Sequence, residues 1–95
     1  MVLKYKYSRG DNMENSTTHL YHIDEFEEKL VSDTLKDVSS ALKERGYNSI
    51  DQLVGYLMSG DPGYISSHRE ARNKITRIDR SKILEVLIKD YINKE

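Results

Sequence analysis

The chain has 95 residues, which suits one small domain. It contains no Cys, only three His and no apolar run near the roughly 20 residues of a membrane span, so disulfides, thiolate metal sites and a transmembrane helix are excluded. A formal net charge of -1 and a 37% hydrophobic fraction describe a polar, weakly cored chain, and a chain this small is marginal as a lone monomer. With disulfides and a zinc cluster excluded, oligomerisation is the remaining source of extra burial. The start, MVLKYKYSRGDN, has no signal-peptide core, so a cytoplasmic protein is expected.

Met1 to His22 shows no helical period and reads as a flexible tail, with a helical domain over residues 23–95. His19, His22 and Asp24 are too few and too loosely placed to argue for a metal, and no cofactor is implied. From Ile23 the residues Phe26, Leu30, Thr34, Val38, Ala41 and Leu42 follow at spacings of three and four, with Val31 and Leu35 widening the stripe. This predicts one amphipathic helix, or two broken near Ser32, closed by Gly46. Ser49 and Gln52 fit a capping box for a second helix whose expected buried stripe is Ile50, Leu53, Val54, Leu57 and Met58. Gly60 ends that helix, and Asp61-Pro62-Gly63 makes a tight turn.

Ser67 and Glu70 suggest another capping box, opening a short helix with Ala71, Ile75 and Ile78 on its apolar face. Arg69, Arg72, Asn73, Thr76 and Arg80 share the opposite face if that helix runs on. Asp79 or Ser81 can cap a last helix bearing Ile83, Leu84, Leu87, Ile88, Tyr91 and Ile92, a stripe too wide for a monomer's surface. Tyr56, Leu84, Leu87, Ile88 and Tyr91 are therefore the expected dimer surface. The class is all-α: a compact bundle of about four helices with an N-terminal tail, homodimeric.

Charge is segregated along the chain. Asp24 to Arg45 carries seven acids against four bases, and Ser67 to Lys82 six bases against two acids. The basic stretch is expected to form an interaction surface through Arg69, Arg72, Asn73 and Arg80. Helix, glycine-bearing turn and basic helix also suggest a helix-turn-helix-like nucleic-acid regulator using residues 68–80, although the turn from Gly60 to Ser66 is long for that motif. No nucleophile–base pair or paired-carboxylate spacing is legible, so no catalytic residue and no enzyme activity is expected.

The stretch GYNSIDQLVGYLMSGDPGYISSHREARNKI, Gly46 to Ile75, resembles the IreB family of small regulatory phosphoproteins of Gram-positive bacteria. The likeness extends back to about Thr18 and through the last helix. Ser49 and Ser66 stand where the family usually has Pro, and Gly63 where it has Ala. The resemblance implies a non-enzymatic helical homodimer, phosphorylated on an N-terminal threonine by a membrane-anchored, cell-wall-sensing Ser/Thr kinase and served by a matching phosphatase. It also implies a role in cell-envelope stress or antibiotic-resistance signalling through a downstream protein partner.

The family's phosphoacceptor precedes two spaced aromatics, T-x-x-F-x-F; here Thr18 takes its place, with Tyr21 and Ile23 at the aromatic positions. Thr17 is its neighbour, and a second family threonine falls on Asn15. Met1 to Asn12 lie outside the resemblance. Arg9-Gly10-Asp11-Asn12 can be encoded by AGG-GGA-GAY-AAY, a purine-rich string directly before Met13. A translated ribosome-binding site and a native start at Met13 are therefore expected, with no meaning in the Arg-Gly-Asp tripeptide.

Overall fold

The structure, a computed structural model, describes residues 24–94. The expected tail, with Thr17 and Thr18, lies outside the described residues. Four α-helices follow in order: α1 Glu25–Glu44, α2 Ser49–Ser59, α3 Ala71–Thr76 and α4 Arg80–Ile92. Two short 3-10 turns, Pro62–Tyr64 and His68–Glu70, join α2 to α3. The all-α class expected from periodicity is what the chain forms.

Helix α1 is a single 20-residue rod with no break at Ser32. Asp24 starts it by accepting the Glu27 N–H at 2.8 Å, with Glu25, Glu27 and Glu28 in the first turn. Both the cap and the acids favour the positive end of the helix dipole. At the other end Gly46, at φ +83°, carries a Schellman closure. Tyr47 N–H donates to the Leu42 carbonyl at 3.0 Å and Gly46 N–H to that of Lys43 at 2.9 Å.

The core gathers around α1, which touches each of the other helices. Val31, Val38, Ala41 and Leu42 of α1 meet Tyr56, Ile65, Ala71, Ile75, Ile83 and Val86, with Leu35, Leu53, Leu57 and Ile78 packed against them. Ile65 is wholly buried although it lies between two turns, and so anchors the long connection.

Several expectations are corrected. Phe26 and Leu30 are exposed, because the first turns of α1 put Val31 into the core and Glu27 and Glu28 against Lys82 and Lys89 of α4, which leaves Phe26 and Leu30 on the outer side. The α2 cap is Asn48, accepting from Asp51 N–H, while Ser49 is buried and its hydroxyl accepts from Ser39 at 2.9 Å. The Gln52 amide reaches the Tyr64 carbonyl instead of closing a box. The buried face of α2 is centred on Ser49 and Tyr56; Ile50, Val54 and Met58 face outward. Ser67 makes no capping hydrogen bond; Ser66 does the local work, its hydroxyl accepting from His68 N–H. Asp79 occupies the α4 cap position without a side-chain cap bond.

Candidate interaction surfaces

The basic stretch is not one helix. Residues 68–80 divide into a 3-10 turn, the six-residue α3, a connection and the start of α4. Arg69 and Glu70 lie in the left-handed region, at φ +54° and +62°. That conformation costs a non-glycine residue about 1–2 kcal/mol and forbids a continuous helix through them. The proposed recognition helix over 68–80 therefore does not form.

The basic residues instead complement α1. The Arg69 guanidinium lies between Asp37 and Glu44: it donates to the Asp37 carboxylate and, at 2.9 Å, to Glu44 Oε2, with Ser40 Oγ at 3.3 Å. Lys74 Nζ reaches the other Asp37 oxygen at 2.5 Å. His68 Nε2 stands 2.8 Å from Glu44 Oε1. Lys82 pairs with Glu27 at 2.7 Å and Lys89 with Glu28 at 2.8 Å, fastening α4 to the first turns of α1.

Each pairing shifts a pKa in the expected sense. The hydrogen bond from Lys74, helped by the Lys74 and Arg69 charges, holds the Asp37 carboxyl below its ordinary value. The hydrogen bond with His68, with the Arg69 charge, does the same to Glu44. The hydrogen bonds to Glu27 and Glu28 raise Lys82 and Lys89.

Of the predicted interaction residues, Arg72 and Arg80 stay exposed, and each binds a carbonyl. Arg72 Nε donates to Ile65 at 2.8 Å, and Arg80 Nη1 to Leu57 at 2.9 Å, at the carbonyl end of α2. Asn73 donates to the Glu70 carboxylate at 2.6 Å. Arg77 closes α3 through its backbone N–H, and its side chain makes no ion pair or hydrogen bond among the described residues.

A second surface is apolar. An open groove of about 810 Å³ lies between α1, α2 and α4, floored by Leu35, Ile50, Leu53, Val54, Leu57 and Leu87. Leu84, Ile88 and Tyr91 carry the apolar surface further along α4, with Tyr91 78% exposed. Lys36 and Lys43 stand on the groove's polar rim. Tyr56 is not part of it: only 5% exposed, it belongs to the protomer core and cannot reach a partner. No sequence signal placed Ile50 and Val54 here, since their helical spacing fits an inner and an outer stripe equally well.

Among the described residues, no group of three His, Asp or Glu stands close enough to hold a metal ion, and no helix is long and apolar enough to cross a membrane. The described residues form a small all-helical unit with one salt-bridged face and one exposed apolar groove. Compared with known families, residues 15–93 match the IreB regulatory phosphoprotein family, and the chain belongs to it. The match covers nearly the whole chain and includes Thr17 and Thr18.

Proposed function

We propose that this protein is a non-enzymatic signalling adaptor, phosphorylated on Thr18 by a membrane Ser/Thr kinase and reset by a matching phosphatase. It would act on cell-envelope stress or antibiotic-resistance signalling through a downstream protein. Membership of a regulatory phosphoprotein family carries this reading. Thr18 stands six residues before the Asp24 cap of α1 and just ahead of Glu25, Glu27 and Glu28. A phosphate adds about -1.5 to -2 charge there, so it is repelled by the first turn of α1 and favours partners that supply arginine.

Arg72 and Arg80 are the arginines suited to that exchange within the protein. Each commits one nitrogen to a carbonyl and pairs with no carboxylate among the described residues, so further guanidinium donors remain for a phosphate. Arg69 is excluded from this role by its pairing with Asp37 and Glu44.

Self-association belongs to the same proposal. The groove and α4 leave Ile50, Val54, Leu84, Leu87 and Ile88 at 41–70% exposure on one protomer. A second copy covers them, because a two-fold interface sets the same apolar face against itself.

The deciding experiment is phosphorylation of the full chain by its cognate kinase, read by intact mass. Thr18→Ala is expected to lose most of the incorporated phosphate, and Thr17→Ala little. Undiminished labelling of Thr18→Ala refutes the assignment.

A further inference from the structure

The segment Ser66–Glu70 combines two features that oppose one another. Its backbone holds two consecutive non-glycine residues, Arg69 and Glu70, in the left-handed region. Its side chains are pulled onto α1 by carboxylates from a single helix face: Asp37 and Glu44 grip Arg69, and Glu44 also takes His68. We propose that this turn is a charge-locked latch, strained in its backbone and kept shut by Asp37 and Glu44.

The groups that bond within the lock come from three elements, and Lys36 and Lys43 of α1 line the groove beside Ser40 and Glu44. From α1 come Asp37 and Glu44, with the Ser40 hydroxyl between them. From the turn come His68, Arg69 and Glu70; Glu70 faces Asn73 rather than the lock. From α3 comes Lys74, which holds the second oxygen of Asp37. Asp37 therefore joins both the turn and α3 to α1, and Glu44 serves the turn alone. The lock is a surface device, since the Arg69 side chain is 37% exposed and that of Glu44 51%. Dissolved ions and acidic ligands can therefore compete for it.

Opening has a defined consequence. Glu70 N–H bonds to the Ser67 carbonyl and Arg72 N–H to that of Ser66, so both amides lose their acceptors when the turn, released from α1, unwinds out of its left-handed conformation. Ile65, buried just before it, and Ala71, buried just after it, stay as anchors. The released segment exposes the Arg69 guanidinium and the His68 ring to an anionic partner while the helical core stays folded. The fold thus contains a local opening well below global unfolding.

Hydrogen exchange of the full-length protein tests this. Asp37→Asn combined with Glu44→Gln is expected to speed exchange of the Glu70 and Arg72 amides by roughly ten-fold or more, with Leu42 and Ile83 unchanged. Adding Glu70→Gly, which removes the left-handed penalty at one position, is expected to recover much of that protection. Wild-type protein moved from low salt to about 1 M NaCl, where the Debye length falls to about 3 Å, should repeat the double variant's effect without any substitution. The wild-type salt comparison remains decisive if the double variant does not fold. Exchange at Glu70 and Arg72 that stays within about two-fold in both the variant and high salt overturns the lock. Failure of Glu70→Gly to restore protection overturns the strain.

Discussion

The Tyr64 ring fills the space that a side chain at Gly55 would need. A Cβ built on Gly55 would stand 2.5 Å from Tyr64 Cε1 and 2.6 Å from Cδ1. Gly55→Ala must displace the ring, whose backbone carbonyl is held by Gln52. The expected loss is about 1–3 kcal/mol, seen as a lower urea midpoint at unchanged slope. The ionisable residues add a second expectation at this scale. Asp37 and Glu44 have folded pKa values below their unfolded ones, so their stabilisation is present above the ordinary carboxylate range and is lost as pH falls through the folded values. Lys82 and Lys89 are raised, so theirs is complete below about 10.5 and is lost as pH climbs through the folded values. Thermal melts across pH should therefore show a flat plateau with both an acid and an alkaline limb. Asp37→Asn should shallow the acid limb alone; an unchanged limb would show that Asp37 does not couple to folding.

Among the elements, α1 and α3 show how far periodicity reaches. The α1 stripe was readable because Val31, Val38, Ala41 and Leu42 recur at helical spacing and Gly46 marks the stop. Phe26 and Leu30 obey the same period yet stay outside, since α4 meets the first turns of α1 on the side of Glu27, Glu28 and Val31, and a stripe does not say on which of its edges a neighbour packs. Helix α2 misleads for a related reason. Its apolar residues cover much of the circumference, and the buried centre is set by Tyr56 and by the small, hydrogen-bonded Ser49. The left-handed pair Arg69–Glu70 was illegible, because neither residue advertises positive φ and the ion pairs that hold Arg69 span 25 to 32 residues. The displaced α2 cap gives a direct check. Asn48→Ala should cost about 1 kcal/mol through the lost Asp51 N–H bond. Under the capping-box expectation Asn48 would be neutral, whereas Gln52→Ala loses a hydrogen bond in either case, here the one to the Tyr64 carbonyl. Urea denaturation of Asn48→Ala distinguishes these cases.

For the molecule as a whole, half of the six bases in the basic stretch are spent on acids of the same chain. The acidic first helix and the basic 67–82 stretch meet through Asp37, Glu44 and Glu27, leaving Arg72, Arg77 and Arg80 without carboxylate partners among the described residues. That consumption is why a sequence with an apparent basic face need not bind nucleic acid. The apolar residues are not consumed in the same way. Ile88 is 56% exposed, Ile50 70% and Leu87 41%, on the two helices that border one groove. Leaving them in water forfeits burial a small core can ill spare, at about 25 cal/mol per Å² of apolar surface. The proposed dimer then makes a definite prediction. Sedimentation equilibrium should give twice the protomer mass, and the melting temperature should rise with protein concentration, because mass action links folding to association. Ile88→Asp places a charge on this face while removing little from the protomer, whose core lies on the Ile83 and Val86 side of α4. That variant should sediment as a monomer with retained helical circular dichroism, and its melting temperature should no longer depend on concentration. A wild-type protein that sediments as one protomer at every concentration would leave the α2–α4 face to a different partner. An Ile88→Asp protein that stays dimeric would move the interface elsewhere on the molecule.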